Sequence, residues 1–176
     1  TNVNEAPVVT VPATGLSINE ATDAIATLTG IAVADEDAGT NSIVVTLSIP
    51  ANSGVLLAQT VNGGAVIGGN GSASLTLTGT VQQINATLAA ASGLTYKSAL
   101  NYNGPDALEV TVSDGGQTGL ANPLSPSAIT RTVTITVNPV NDPPQVTLPS
   151  GLIVAEDGSA NFGAIQVSDV DAGETA

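Results

Sequence analysis

The chain has 176 residues, 42% hydrophobic but only 2% aromatic, and 15 acids face two bases, Lys97 and Arg131, for a formal charge of −13. A core of Val, Leu, Ile and Ala can be buried, while the charge argues against nucleic acid or an anionic membrane surface as partner and calls for counter-ions. The absence of Cys excludes disulfides and thiolate metal sites, and with no His either there is neither residue to serve as base or nucleophile; Ser113-Asp114 has no partner base, so an enzyme is not expected.

Thr and Val dominate, which favours strands over helices. Pro7 to Pro12 and Leu16 to Asn19 read as a broken first strand. Ile25 to Ala34 reads as the second, kinked at Gly30. Ile43, Val45, Leu47 and Ile49 alternate onto one face of a third. Val55 to Gln59 and Ala65 to Ile67 flank a Gly-rich turn. Gly68-Gly69-Asn70-Gly71-Ser72 reads as a hairpin turn; it resembles the Gly-rich nonapeptide of calcium β-rolls only faintly, because it lacks the Asp and occurs once. Leu75 and Leu77 point inward from the next strand.

Thr80-Val81-Gln82-Gln83 has the spacing of a capping box with Thr80 as N-cap. Val81, Ile84 and Leu88 follow at helical spacing, and Gly93 is expected to end a short helix that crosses one end of the domain. Leu108, Val110 and Val112 share a face, as do Val133, Ile135 and Val137. Asn70-Gly71-Ser72 and Asn85-Ala86-Thr87 match the glycosylation acceptor pattern and are read as incidental. Seven or so strands and one short helix predict an all-β, immunoglobulin-like sandwich.

The chain repeats itself. Val3-Asn4-Glu5-Ala6-Pro7 recurs as Val140-Asn141-Asp142-Pro143-Pro144, and Val9-Thr10-Val11-Pro12 as Val146-Thr147-Leu148-Pro149. Gly15-Leu16 matches Gly151-Leu152, and Glu20 matches Glu156. Val33-Ala34-Asp35-Glu36-Asp37-Ala38-Gly39 returns as Val167-Ser168-Asp169-Val170-Asp171-Ala172-Gly173. The expected organisation is therefore one complete module, residues 1–139, and the first part of a second, residues 140–176. No signal peptide opens the sequence, so Thr1 is expected to lie inside a longer polypeptide. No apolar run reaches membrane-spanning length.

Each Asp-x-Asp-x-Gly stretch follows an apolar strand. A loop of this kind can present two carboxylates on one side, and calcium takes about six to eight oxygens. A solvated turn accounts for a single copy as well. Recurrence beside a recurring Asn-acid-x-Pro linker favours the cation. The linker Asn138-Pro139-Val140-Asn141-Asp142-Pro143-Pro144 is stiffened by its prolines, and Asn141 and Asp142 can offer oxygens.

Linker, strand-end Glu and Asp-x-Asp-x-Gly occur in that order, followed by Tyr102-Asn103-Gly104-Pro105-Asp106 and Ser113-Asp114-Gly115-Gly116. Together with Ile84-Asn85-Ala86-Thr87-Leu88 and Leu94-Thr95-Tyr96, this series resembles the cadherin-like repeats of large bacterial RTX-type surface adhesins. The resemblance covers the whole chain. It implies a cadherin-like Greek-key sandwich in tandem array, secretion to the bacterial cell surface, and calcium between successive modules. Followed strand by strand, it places Glu20, Asp106, Asn141, Asp142, Asp169 and Asp171 at one joint. Asn4, Glu5, Asp35, Asp37 and Asp114 form the upstream half-cluster. The sequence departs from vertebrate cadherins, which carry a fuller linker and a different acidic motif before the penultimate strand.

The function this implies is a calcium-rigidified extracellular spacer of an adhesin or biofilm matrix filament. Its partners would be adjacent modules of the same chain or neighbouring identical subunits, with a surface ligand held by a distant module. A calcium-dependent carbohydrate- or peptide-binding module is the alternative, although the aromatic platforms usual in sugar sites are nearly absent. Two strands of a second module cannot cover Ile153, Phe162, Ile165 and Val167 by themselves. Continuation of the polypeptide is expected ahead of strands supplied by a neighbouring chain.

Overall fold

A computed structural model describes residues 4–20, 25–116, 127–151, 153–160, 163 and 165–172. Val3, Leu152, Phe162 and Gly173, which enter the repeat or the expected second core, lie outside these residues. The chain divides into two compact units, Thr1–Pro139 and Val140–Ala176. Among the described residues no helix is long and apolar enough to cross a membrane.

The first unit is all-β with one helix. In order it holds β1 (Val8–Thr10), β2 (Leu16–Asn19), β3 (Ile25–Thr27), β4 (Ala32–Ala34), β5 (Ile43–Ser48) and β6 (Gly54–Ala58). Then come β7 (Val66–Gly68), β8 (Ser74–Gly79), α1 (Val81–Ala89), β9 (Leu94–Ser98), β10 (Gly104–Ser113) and β11 (Ala128–Asn138). A six-stranded sheet runs β2-β11-β10-β5-β8-β7, a three-stranded sheet runs β3-β9-β6, and β1 pairs with β4. Alternation along the strands aims one side of each sheet at a shared core. Leu47, Leu75, Leu77, Leu108, Val110 and Ile135 enter it from the larger sheet, and Leu56, Leu94 and Tyr96 from the smaller. The architecture is sandwich-like.

The broken first strand changes partner at its break. β1 lies antiparallel to β4, and β2 lies parallel to β11. Pro12 sits between them and has no N–H with which to extend a ladder. The second strand divides at Gly30, whose φ of +78° suits a residue without Cβ. β6 and β7, which flank the Gly-rich turn in sequence, belong to different sheets: β6 pairs with β9, and β7 with β8. Gly68 to Ser72 turns the β7–β8 hairpin, and Asn70 ties that turn to the other sheet by bonding the Ala58 N–H and C=O at 2.8 and 3.1 Å.

The capping box is complete: the Gln83 N–H donates to Thr80 Oγ1, and the Thr80 N–H donates to Gln83 Oε1. The helix stops at Ala89, short of Gly93: Ala90 is extended, with ψ 151°, and its N–H donates to the Thr87 carbonyl. Gly93 has a different use, since a Cβ there would lie 2.1 Å from the Thr87 carbonyl oxygen. Both glycosylation-type asparagines are engaged with backbone. Asn85 accepts from the Val33 N–H at 2.9 Å and donates to the Val33 C=O at 2.8 Å, which fastens α1 to β4.

The second unit repeats the opening of the first. β12 (Gln145–Thr147) pairs with β13 (Gln166–Ser168), and Val146 faces Val167 as Val9 faces Val33. The surroundings differ. Val9 and Val33 are 6% and 4% exposed, whereas Val146 and Val167 are 59% and 68% exposed. β1 packs against β10 and β11, and the described residues of the second unit contain only the one strand pair. A lone pair of short strands is marginal in water. Amide exchange in β12 and β13 is therefore expected to be faster than in β1 and β4, by on the order of a hundredfold or more. Equal protection of the two pairs, measured by hydrogen exchange on the full chain, would contradict this.

Candidate metal centre

The two Asp-x-Asp loops are built alike. In the first unit the Asp35 carboxylate accepts the N–H groups of Asp37 and Ala38 at 3.2 and 2.9 Å through Oδ1. Asp37 reaches back to the linker and accepts the Glu5 N–H at 3.0 Å. Asn4, which is buried, donates to the Glu5 carbonyl at 3.2 Å. In the second unit Asp169 accepts the Asp171 N–H at 3.0 Å, Asp171 accepts the Asp142 N–H, and Asn141 donates to the Asp142 carbonyl at 3.0 Å. Linker and loop are thus joined by the same bonds in both copies. The cause is local: a short Asp side chain satisfies amides two or three residues on, and the turn that results brings the second Asp to the incoming chain.

Asp114 follows β10 at the end where β5 begins, as Ser113 pairs with Val44. It is buried; its Oδ1 accepts the Gly116 N–H at 2.8 Å. Asp106 and Asp114 stand near opposite ends of β10, roughly 26 Å of extended chain apart. Glu20 and Asp106 therefore belong to the end from which the linker leaves. The Glu20 N–H donates to the Asn138 carbonyl at 2.8 Å, and Asn103 Nδ2 donates to Glu20 Oε1 at 3.3 Å. Asp106 accepts its neighbour's Ala107 N–H at 2.7 Å and the Tyr96 hydroxyl at 2.9 Å. Glu5, Asp35 and Asp37 are linked directly at one end, and Asp142, Asp169 and Asp171 are linked in the second unit. Asn103, Asn138 and Tyr96 were not foreseen as site residues. Asn103 and Asn138 sit inside motifs legible in the sequence, but nothing in the sequence marks Tyr96 as a partner of Asp106.

Electrostatics at the Asp-x-Asp end are unfavourable to a bare pair of anions. Burial, and after it the adjacent Asp37 carboxyl, pushes Asp35 up to about 6, against the pull of the Ala38 and Asp37 amides. Asp35 Oδ2 and Asp114 Oδ2 are buried without a hydrogen-bond partner. A buried carboxylate oxygen left unpaired is costly. Such oxygens suit a hard divalent cation, which prefers carboxylate and carbonyl donors. Among the described residues no three acidic side chains converge closely enough to form a metal-holding group by themselves. The ends are best described as partial donor sets. No family model, curated protein or solved structure matches this chain.

Proposed function

We propose that this chain is a stretch of a calcium-rigidified array of cadherin-like, immunoglobulin-like Greek-key modules that serves as an extracellular spacer in a bacterial surface adhesin or matrix filament. The observation that carries this reading is the duplicated linker-to-loop bonding, Glu5 to Asp37 to Asp35 and Asp142 to Asp171 to Asp169. A solvated turn would not need its acids fastened to the incoming linker in both copies. Each module then carries two partial donor sets. Asn4, Glu5, Asp35, Asp37 and Asp114 form the set at one end of the first module, and Glu20 and Asp106 the set at the other. Asn141, Asp142, Asp169 and Asp171 repeat the first set in the next module. Calcium bound between successive modules of an array would complete its oxygen shell from both ends and neutralise like charges that otherwise repel. Adhesive contact with a target surface falls to a distant module, and the module here supplies reach and stiffness.

Terbium luminescence tests the reading. The chain has no Trp and two tyrosines, Tyr96 and Tyr102, both beside Asp106. A trivalent calcium substitute held by Asp106 should emit when the tyrosines are excited. Emission should saturate, fall on addition of calcium, and be lost in Asp106→Asn. Absence of sensitised emission in the wild-type chain would sink the proposal.

A further inference from the structure

Tyr96 is fully buried on β9, in the three-stranded sheet, yet its hydroxyl reaches Asp106 on β10 in the other sheet. The hydroxyl faces two acceptors, Asp106 Oδ2 at 2.9 Å and the Ser53 carbonyl at 3.1 Å. It has one proton to give. The Ser53 carbonyl already accepts the Ala99 N–H at 2.8 Å, and an ionised carboxylate is the stronger acceptor. The proton therefore goes to Asp106. Asp106 Oδ1 is held separately by the Ala107 N–H at 2.7 Å. Both oxygens of this carboxylate are thus fixed before any ligand arrives, and each keeps a lone pair for one.

We infer that Tyr96 is a positioning residue, a strut through the core that sets the Asp106 carboxylate for a calcium-sized cation at the linker end of the module. The inference rests on the calcium reading above and deepens it. A carboxylate already locked loses little side-chain freedom on binding. A rigid set of oxygens also favours calcium over magnesium, because magnesium needs shorter bonds that a fixed carboxylate cannot supply.

The test is calorimetric titration of the full chain with calcium and with magnesium, for wild type, Tyr96→Phe and Asp106→Asn, alongside denaturant melts in chelator. Loss of one hydrogen bond to a charged group is expected to weaken calcium binding about threefold to tenfold in Tyr96→Phe and to narrow the preference for calcium over magnesium. A purely structural tyrosine would lower the melt and leave affinity and ion preference unchanged; that result overturns the inference. Ring carbon NMR of Tyr96 in the wild-type chain needs no variant to fold. Calcium should shift the Tyr96 ring-carbon resonance next to the hydroxyl, and an unmoved resonance while calcium binds would also overturn the inference. Calcium binding that is weakened by Asp106→Asn but untouched by Tyr96→Phe removes the strut and leaves the calcium reading standing. No calcium binding by the wild-type chain removes both.

Discussion

In chelator, the wild-type chain is expected to become more stable as the pH falls from 7 to 5, and in millimolar calcium to lose the calcium increment over the same range. The first trend follows from Asp35. Its folded-state value of about 6 lies above the ordinary 3.8, so the folded state binds more protons between those values and gains stability as protons are added. The second follows from competition, since a proton on Asp35 displaces the cation. At neutral pH, calcium at a hundred times its dissociation constant adds about 2.7 kcal/mol, which raises the melting temperature by roughly 5–10 °C. Replacing Asp35 and Asp37 together by Asn should remove the acid-side gain. Asn keeps an acceptor for the amides of Asp37 and Ala38, so the loop survives while the charge is lost. The double variant should melt higher than wild type in chelator, by on the order of 1 kcal/mol once solvent screening is allowed for. It should gain much less from calcium. Scanning calorimetry at pH 5, 6 and 7, with and without calcium, checks every arm. A calcium increment that is independent of pH and intact in the double variant would mean that this loop holds no cation.

Asn85→Ala is expected to cost about 2–3 kcal/mol, among the largest losses available from a single polar side chain here. Asn85 satisfies both the N–H and the C=O of Val33, a buried residue of β4. Removing the side chain strands a donor and an acceptor together, and nothing short of helix movement can replace it. Asn85→Asp keeps an acceptor for the N–H but points a charge at the carbonyl, so it should recover little. Asn70→Ala provides the contrast. Asn70 makes the same pair of bonds to Ala58, but it is exposed and water can take its place, so a loss of about 1 kcal/mol is expected. Denaturant midpoints with unchanged slopes measure all three. β4 leads directly into Asp35, so Asn85→Ala should also loosen the acidic loop and reduce the calcium increment. Equal costs for Asn85→Ala and Asn70→Ala would mean that burial does not distinguish the two clamps.

Much of the architecture was legible because it depends on short-range rules. Alternation placed Leu47, Leu75, Leu77, Val110 and Ile135 in the core, since a strand's two faces follow directly from its pleat. Thr80 and Gln83 announced the helix start, because a capping box is a contact between residues three apart. The repeat announced that a second module opens at residue 140, and there residues 145–147 and 166–168 pair as 8–10 and 32–34 do, since like sequences take like registers. The Asp-x-Asp turns were equally local. Tertiary structure decided the rest. Which sheet β6 and β7 join is a matter of crossover, and a turn composed of Gly leaves both choices open. α1 ends at an extended Ala90 rather than at a C-cap glycine, and Gly93 lies instead where a Cβ would meet the Thr87 carbonyl. Above all, the bonds from Tyr96 to Asp106 and from Asn85 to Val33 join residues 10 and 52 positions apart. No periodicity or motif encodes them, because they exist only once the sheets have closed over a common core.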